Sequence, residues 1–224
     1  MKMYCALRAV YLHQKLRCLV MAHSIIWSVM MTLQRAWPPE CPRLETARVI
    51  LRPPMDSDNE IWRNLRRRNK AHLQPFEPSW PENALLDSFF RRRLRYQQKE
   101  WMADRNYSLL IFTADHVLIG GMNVNNVSRG AAQFASLGYW IDHAHQNQGY
   151  MKDVMDLTLS FCFSFLKLER VNAATLTHNI PSQRVLLRAG FVEEGFAKEY
   201  IQINGARQDH KLFGLNKSDW QKYA

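Results

Sequence analysis

Residues 146–151, Gln-Asn-Gln-Gly-Tyr-Met, have the composition of a phosphate-binding turn. They follow a stretch typical of a strand and precede a pattern typical of a long helix, so free N–H groups and the positive end of the helix dipole would face a bound anion. Gly149 allows the backbone to approach such a group closely, and Asn147 tolerates a left-handed conformation. The stretch therefore predicts a pyrophosphate site, although a single glycine before a helix is in most proteins only a turn.

A second stretch, residues 177–191, combines residues that cap helices with a free hydroxyl group. Asn179 and Ser182 are typical of helix N-termini, Gly190 suits the position after a helix, and Phe191 suits the core. Capping alone accounts for this pattern, whatever the function of the protein.

The elements that must position these stretches follow from apolar spacing and turn residues. Strands are predicted at residues 44–52, 107–112, 117–127, 132–141, 170–177, 200–203 and 207–215. Helices are predicted at residues 56–68, 83–102, 149–165 and 182–189. Residues 72–81 contain three prolines and are predicted to form an ordered loop. Asn204-Gly205 predicts a tight hairpin between the last two strands.

The order of these elements, β-α-α-β-β-β-α-β-α-β-β, predicts an α/β fold in which a mixed sheet carries helices on its faces. The chain has 224 residues, of which 47% are hydrophobic, and this is enough for one good core. We therefore expect one principal domain over residues 43–224.

Residues 137–155 resemble the acetyl-CoA-binding motif of the GNAT acetyltransferase superfamily, Gln/Arg-x-x-Gly-x-Gly/Ala after the fourth strand. Gln146 and Gly149 match this motif. Asn147-Gln148 stands where the family usually has Gly-Lys, and Met151 replaces a small residue, so the hold on the phosphates would be weaker. The resemblance implies a GNAT fold with a mixed, mostly antiparallel sheet, and acetyl-CoA as the co-substrate without a metal.

Residues 177–191 resemble the family block Asn-x-x-Ser-x-Arg-Val-x-x-x-x-Gly-Phe. The resemblance implies that Asn179 contacts the pantetheine arm and that Ser182 lies near the CoA sulfur, where a hydroxyl can protonate the leaving thiolate. Acetyl-CoA would lie in a cleft where strands 132–141 and 170–177 separate, with a backbone N–H of residues 137–139 holding the thioester oxygen. The residues predicted to bind the co-substrate are Leu137, Tyr139, Trp140, Ile141, Gln146, Asn147, Gln148, Gly149, Tyr150, Met151 and Asn179.

Residues 69–78, 119–130 and 195–205 resemble one branch of this superfamily, the Rim-type ribosomal-protein-alanine acetyltransferases. The resemblance covers the chain from residue 43 to about residue 220. It implies that the acceptor is the N-terminal α-amine of an alanine or serine on a ribosomal protein, with protein number five of the small subunit as the first candidate. The predicted substrate-binding residues are Phe76, Glu77 and Trp80.

The reaction needs a group that removes a proton from the attacking amine. Glu199 is the first candidate, because the branch resemblance places a carboxylate at the start of that strand. Glu77 and Asp142 are alternatives. Most surface carboxylates are only solvated or paired, so each of these assignments is a hypothesis.

The formal net charge is +10, and part of it is clustered in residues 66–70 and 91–95. Such clusters attract RNA and other polyanions, which would help an enzyme that works on a ribosomal particle. A solvated helix face is the simpler interpretation. No DNA-binding motif and no aromatic interleaving typical of single-strand binders is present, so sequence-specific nucleic-acid binding is not predicted.

The cysteines Cys5, Cys18, Cys41 and Cys162 have no spacing that predicts a zinc site or a disulfide framework. Cys162 lies in an apolar helical run and is predicted to be a small buried side chain. This cysteine usage fits a reducing cytoplasm, which is the predicted location.

Residues 1–42 lack domain-like patterning and are predicted to be a poorly ordered extension or an over-extended gene start, with a docking helix as the alternative. The apolar run at residues 19–33 is shorter than the about 20 residues that span a bilayer, and it lacks a signal-peptide cleavage pattern. We expect no membrane association, and a monomer or weak dimer.

Two other functions compete with N-terminal acetylation. One is a GNAT enzyme for a small amine such as a polyamine or an antibiotic, although a polyamine needs acidic surroundings and this chain is basic. The other is a largely non-catalytic ribosome-assembly factor, which the altered phosphate loop leaves open.

Overall fold

The computed structural model describes residues 43–221, so the predictions for residues 1–42 lie outside the described residues. The described part of the chain contains an eight-stranded sheet with the order β1-β2-β3-β4-β5-β6-β8-β7. The strands are β1 (Leu44–Glu45), β2 (Val49–Arg52), β3 (Tyr107–Thr113), β4 (Leu118–Ser128), β5 (Phe134–Ile141), β6 (Arg170–Leu176), β7 (Val192–Ile203) and β8 (Ala206–Asn216). All neighbouring strands are antiparallel except β5 and β6, which are parallel, so the predicted mixed, mostly antiparallel sheet is confirmed.

Helices pack on the sheet through apolar stripes. They are α1 (Asn59–Arg68), α2 (Lys70–Leu73), α3 (Asp87–Met102), α4 (Tyr150–Ser160), α5 (Ile180–Arg188) and α6 (Lys217–Trp220). In α3 the buried residues Phe90, Leu94 and Trp101 recur at helical spacing and face the sheet. In α4 Val154, Met155 and Leu159 do the same. The order of elements agrees with the sequence-based prediction.

The predicted first strand, residues 44–52, is instead a short hairpin of β1 and β2. Thr46 causes the change, because its side-chain oxygen accepts hydrogen bonds from the N–H groups of Arg48 and Val49, at 3.2 Å each. A side chain that satisfies local backbone donors in this way favours a turn over a continuous strand.

The loop predicted over residues 72–81 is partly helical. The helix α2 continues into a 3₁₀ turn at Gln74–Phe76, where Pro75 lies in the first turn and its missing N–H breaks no helical bond. The helix predicted from residue 83 begins only at Asp87, because residues 81–86 form two successive turns (Ala84 N–H to Pro81 O and Leu86 N–H to Asn83 O). Helix α4 ends earlier than predicted and continues as a π-helical turn, Phe161–Phe165.

Cys162 lies in that π-helical turn and is fully buried, as predicted from its apolar surroundings. Burial raises the pKa of its thiol to about 12, so it stays a protonated, apolar side chain at neutral pH. Within residues 43–221, no helix is long and apolar enough to cross a membrane, and no cluster of His, Cys, Asp or Glu is arranged to hold a metal ion.

The two parallel strands separate partway along their length. They are paired only from Phe134 to Leu137 on β5 and from Arg170 to Ala173 on β6. Beyond this point β5 continues along β4 to Ile141, and β6 continues along β8 to Leu176. The sheet therefore has a gap at its centre, and the edge of β5 that faces β6 has no strand partner there.

Candidate active site

A cavity of about 920 Å³ lies at this gap, lined by residues of both separating strands and by the helices and loops above them. It brings together many of the predicted site residues, which are Phe76, Glu77, Trp80, Leu137, Tyr139, Trp140, Asn179 and Ser182. Ile141, the loop residues Gln146, Asn147, Gln148, Gly149, Tyr150 and Met151, and Glu199 are not among its lining residues.

The cavity reaches both faces of the sheet. Side chains along a strand alternate between faces, so neighbouring residues of β5 point in opposite directions. Tyr139 faces α5, where its hydroxyl lies 2.8 Å from Ser182 Oγ. The Trp140 ring faces α1, with its centroid 5.0 Å from the guanidinium carbon of Arg66. Because Tyr139 and Trp140 both line the cavity, the gap connects a compartment beside α5 with one beside α1.

The hydroxyl groups of Tyr139 and Ser182 form a pair in the α5 compartment. The Tyr139 hydroxyl also lies 3.2 Å from the carbonyl oxygen of Ser182, to which it can donate. Burial raises the pKa of the Tyr139 phenol to about 12, against a smaller opposing effect of its hydrogen bond with Ser182. The phenol is therefore protonated at neutral pH, and the pair can supply a hydrogen bond or a proton to an anion that forms beside it.

Asn179 fixes the start of the helix that carries Ser182. Its side-chain oxygen accepts a hydrogen bond of 3.2 Å from the Ser182 N–H, so Asn179 is the N-cap of α5. The helix begins at Ile180 rather than at residue 182, which places Ser182 inside its first turn and not at a capping position. The Ser182 hydroxyl is thus available to Tyr139 and to the cavity.

The predicted phosphate loop has the backbone geometry that its residue types allow. Asn147 has a left-handed conformation with φ 59°, and Gly149, with φ 81°, is the residue directly before α4. A helix leaves the N–H groups of its first turn without partners four residues back, which suits an anion site, although the Lys152 N–H of this 11-residue helix donates to Gly149 O at 3.0 Å. Gln146 Nε2 lies 3.0 Å from His72 Nε2, which ties the loop to α2.

Arg48 contacts this loop on the side away from the predicted phosphate site. The sequence analysis did not predict this contact. Its Nη2 donates a 2.6 Å hydrogen bond to the carbonyl oxygen of Gln148, and its guanidinium carbon lies 4.9 Å from the centre of the Tyr150 ring. In a trans peptide the C=O and the following N–H point in opposite directions, so this bond directs the Gly149 N–H away from Arg48. Arg48 lies 100 positions before Gln148, and nothing in the loop motif predicts this contact.

Asp142 is an alternative proton acceptor in the sequence analysis, but its carboxylate is occupied by hydrogen bonds within the protein. Its carboxylate accepts hydrogen bonds from Arg68 Nη2 at 2.6 Å and Asn69 Nδ2 at 2.7 Å, and it lies 2.8 Å from His145 Nδ1. Burial alone would raise the pKa of Asp142, but the hydrogen bonds from Asn69, Arg68 and His145 outweigh it and hold the pKa below its usual range. Asp142 anchors the loop before α4 to α1, and it is not among the residues lining the cavity.

Glu77 is also fully engaged. Its two carboxylate oxygens accept a bidentate pair of bonds from Arg66, at 2.7 and 2.5 Å, and one oxygen also accepts from Trp80 Nε1 at 2.8 Å. The guanidinium carbon of Arg66 lies 4.1 Å from the centre of the Trp80 ring and stacks between Trp80 and Trp140. This cluster fixes the loop that carries Phe76 and Trp80 over the α1 compartment, so Glu77 positions the wall of the cavity.

Glu199 lies outside the cavity. It is exposed, has φ 50°, and belongs to an irregular segment where the pairing of β7 and β8 shifts between Ala197 and Ile201. Its N–H donates to Asp209 Oδ1 at 2.8 Å. Its neighbours Tyr200 and Ile201 line the cavity. Glu199 itself is not among the lining residues, and sequence spacing alone did not predict this.

His210 on β8 is a titratable group of the cavity that sequence reasoning missed. It is buried and lines the cavity. Its Nδ1 lies 2.9 Å from the carbonyl oxygen of Gln208, which can only accept, so Nδ1 carries a proton and, in the neutral ring, Nε2 is the acceptor. A buried histidine on a strand has no sequence signal that separates it from a structural one.

Three arginines of the basic clusters form salt bridges with acidic residues of the same chain. Arg66 pairs with Glu77, Arg68 with Asp142 and Arg91 with Asp87. The members that remain as exposed cations without a salt bridge among the described residues are Arg67, Lys70, Arg92, Arg93 and Arg95. They lie on α1, α2 and α3, so fewer cations of these clusters are free of internal ion pairs than the sequence alone suggests.

Comparison with known proteins indicates the family to which the chain is related. A sequence profile described as "Acetyltransferase (GNAT) domain" matches residues 48–192. A Bacillus subtilis protein named "Probable N-acetyltransferase YjcK" is 34% identical over 175 residues, which cover 77% of this chain and 97% of that protein. The ribosomal protein uS5-alanine N-acetyltransferase of Escherichia coli is 30% identical over 181 residues, which cover 80% and 92% of the two chains. The solved structure of Mycobacterium smegmatis RimJ in complex with CoA-disulfide matches with a TM-score of 0.74 and 28% identity, covering 80% of this chain and 87% of that one.

Proposed function

This chain belongs to the GNAT acetyltransferase family, and we propose that it transfers an acetyl group from acetyl-CoA to the N-terminal α-amine of a protein that begins with alanine or serine. The observation that carries the proposal is the cavity that passes through the sheet where β5 and β6 separate. An acyl donor on one face and an acceptor amine on the other could meet at this gap without competing for the same space.

On the α5 side, the fit to acetyl-CoA rests on three features. The N-terminus of α4, where the first N–H groups lack partners four residues back, offers donors for the pyrophosphate. The unpaired edge of β5 beyond Leu137 offers backbone groups to the pantetheine and the thioester. Asn179 and the pair of Tyr139 and Ser182 line the cavity together with this edge of β5.

The reaction requires loss of a proton from the amine and stabilisation of the CoA thiolate that leaves. We assign stabilisation of the thiolate to Tyr139 and Ser182. The pKa of the Tyr139 phenol is raised to about 12, so the phenol is protonated at neutral pH, and its hydroxyl lies 2.8 Å from Ser182 Oγ. For the first task the family resemblance favours Glu199, whereas the cavity favours His210. His210 is the stronger candidate, because its side chain lines the cavity and, in the neutral ring, its Nε2 can accept a proton.

The acceptor side fits a small first residue on an extended chain. Phe76 and Trp80 form an apolar wall, held by the Arg66–Glu77 pair. The two carboxylates that line the cavity, Glu77 and Glu194, are each paired with an arginine, so a polyamine would find no free anionic partner there. A peptide N-terminus with one positive charge is the better fit.

A ribosomal protein is the substrate class that we propose. Its support is the E. coli relative, which is named as an N-acetyltransferase of alanine in ribosomal protein uS5. The exposed cations Arg67, Lys70, Arg92 and Arg95 could contact RNA around such a substrate in the cytoplasm. In that case, binding to ribosomal particles would weaken steeply with salt.

The proposal is tested with four short peptides that begin with Ala, Ser, Met or Asp, together with spermidine as a small amine. Each is incubated with acetyl-CoA and the purified protein, and acetylation is measured by mass. Acetylation confined to the Ala and Ser peptides supports the proposal. Acetylation of spermidine alone favours a small-amine enzyme, and failure to bind acetyl-CoA by calorimetry favours a non-catalytic role.

A further inference from the structure

A row of uncharged polar side chains crosses three strands on the wall of the cavity, and we propose that it binds the backbone of the first residues of the acceptor peptide. The row consists of Asn123 and Asn125 on β4, Ser136 on β5 and Asn172 on β6, all of which line the cavity. The inference rests on the proposed function and deepens it by naming how the acceptor is recognised.

The strand register places these side chains together. Asn125 is opposite Ser136, and Ser136 is opposite Asn172, so the three form a line across the sheet. Asn123 is opposite Gly138, the first β5 residue beyond the parallel pairing. One end of the row is therefore next to the gap where the acetyl group would be transferred.

The row lies on the acceptor side of the sheet. Ser136, Gly138 and Trp140 alternate onto the same face of β5, and the Trp140 ring meets Arg66 of α1. Tyr139 points to the opposite face, towards Ser182. The row and the hydroxyl pair are thus separated by the sheet and connected through the gap.

These side chains have unused hydrogen-bonding capacity. Among residues 43–221, the side chains of Asn123, Asn125 and Ser136 have no hydrogen-bond partner, and Asn172 uses only its oxygen, which accepts from Arg170 Nε at 2.7 Å. All four side chains are half-buried. Half-buried polar groups in the middle of a sheet are costly unless water or a ligand satisfies them.

The core does not need polar residues at these positions. Their neighbours on the other face, including Met122, Val124 and Ala135, are fully buried and apolar. On the row's own face, a Cβ on Gly138 would meet only Asn125 Nδ2, at 3.5 Å, so the glycine leaves open space beside the amides. A bound chain can therefore approach the sheet closely here.

The chemistry of the row fits a peptide backbone. A primary amide donates and accepts at once, so it can bind both the C=O and the N–H of a peptide unit. Neighbouring strands are about 4.8 Å apart, so a row across three strands spans about 10 Å, or about three residues of an extended chain at roughly 3.3 Å each. A small amine without peptide groups would leave the row unsatisfied.

The test compares two acceptors that differ only in downstream backbone: alaninamide and a tetrapeptide that begins with alanine. A third acceptor is the same tetrapeptide with its second and third peptide nitrogens methylated. The variants are Asn125→Ala, Asn123→Ala and Ser136→Ala, and the control is Asn64→Ala, an exposed asparagine of α1 outside the cavity. Thermal unfolding and calorimetric binding of acetyl-CoA show whether each variant is folded.

In the unmodified protein, kcat/KM is expected to be higher for the tetrapeptide than for alaninamide and for the methylated peptide. Each removed side chain should lower kcat/KM for the tetrapeptide by about 2- to 12-fold, the effect of one net hydrogen bond. The values for alaninamide and the Kd of acetyl-CoA should stay within about twofold, as should all values for Asn64→Ala.

Equal losses for alaninamide and the tetrapeptide in folded variants would overturn the inference, and so would unchanged values for the tetrapeptide. Either result leaves the proposed function standing, because peptides are still acetylated. If the unmodified protein binds acetyl-CoA but acetylates neither alaninamide nor the tetrapeptide, the proposed function and the inference both fail.

Discussion

Removing one oxygen atom from Tyr139 should slow acetyl transfer without weakening the binding of acetyl-CoA. In Tyr139→Phe the ring still fills its place on β5, but the hydroxyl at 2.8 Å from Ser182 Oγ is lost. If this pair donates to the leaving thiolate, the interaction is made mainly after the thioester begins to break. Its loss should therefore lower kcat and leave the Kd of acetyl-CoA nearly unchanged.

The magnitude follows from the charge on the thiolate. A hydrogen bond to a charged group contributes about 1.5–3 kcal/mol, which corresponds to about a 10- to 160-fold fall in kcat. Folding should lose less, because a neutral hydrogen bond contributes only about 0.5–1.5 kcal/mol net. Ser182→Ala should have a similar effect on kcat, and the double variant should be only slightly slower than either single one, because the two hydroxyls act as one unit.

The assay follows release of the CoA thiol with a colour reagent, at saturating acetyl-CoA and saturating Ala-starting peptide. Tyr96→Phe on α3, where the side chain is exposed, is the matched control and should not change kcat. Because the pKa of Tyr139 is raised to about 12, the ratio of the two rates should stay constant from neutral pH up to about pH 10. A kcat for Tyr139→Phe within twofold of the unmodified protein would refute the assignment.

Three further substitutions test separate parts of the site. Arg48→Ala should raise the KM of acetyl-CoA by about 2- to 12-fold and leave kcat nearly unchanged. Acetyl-pantetheine, which lacks the pyrophosphate, should be used equally well by the variant and the unmodified protein. An equal effect on both donors would contradict a role of Arg48 at the phosphates. Burial and the nearby His143 hold the pKa of His72 below its usual 6.5, so neutral His72 accepts a hydrogen bond from Gln146. The affinity for acetyl-CoA should therefore fall as pH drops below 6.5 and His72 becomes charged. A His72→Gln variant with the same pH dependence would exclude this cause. His210→Gln should lower kcat/KM by about 100-fold or more, and Glu199→Gln by less than about threefold; the reverse order would restore the carboxylate as the proton acceptor.

The sequence was most informative where local chemistry determines local structure. Asn179 predicted a helix cap and forms one, and Asn204-Gly205 predicted the hairpin that joins β7 and β8. The motifs around Gln146 and Asn179 predicted the GNAT family and its fold, which the comparisons and the sheet topology confirm. These signals depend on residues that are close in sequence.

The parts that the sequence did not predict depend on contacts between distant residues. Arg48 reaches a loop 100 positions away, and no property of either stretch indicates this pairing. Asp142 and Glu77 resembled free carboxylates, but Arg68 and Arg66 engage them only in the folded chain. Such partners depend on how the helices pack on the sheet.

Glu199 illustrates a second limit of prediction from the sequence. A strand pattern places alternate residues on alternate faces, but an irregular segment changes the direction of the residues within it. Here Glu199 is exposed and outside the cavity lining, whereas Tyr200 and Ile201 line the cavity. The polar row escaped notice for a related reason, because Asn123, Ser136 and Asn172 become neighbours only through the strand register.

The most direct test of the central claim locates the transferred acetyl group on an acceptor that offers two amines. The acceptor is an Ala-starting peptide with one internal lysine, incubated with acetyl-CoA and the purified protein and then sequenced by fragmentation mass spectrometry. Our account predicts a single acetyl group on the α-amine, and none on a peptide whose α-amine is blocked. Acetylation of the lysine, or no acetylation of either amine by protein that binds acetyl-CoA, would contradict it.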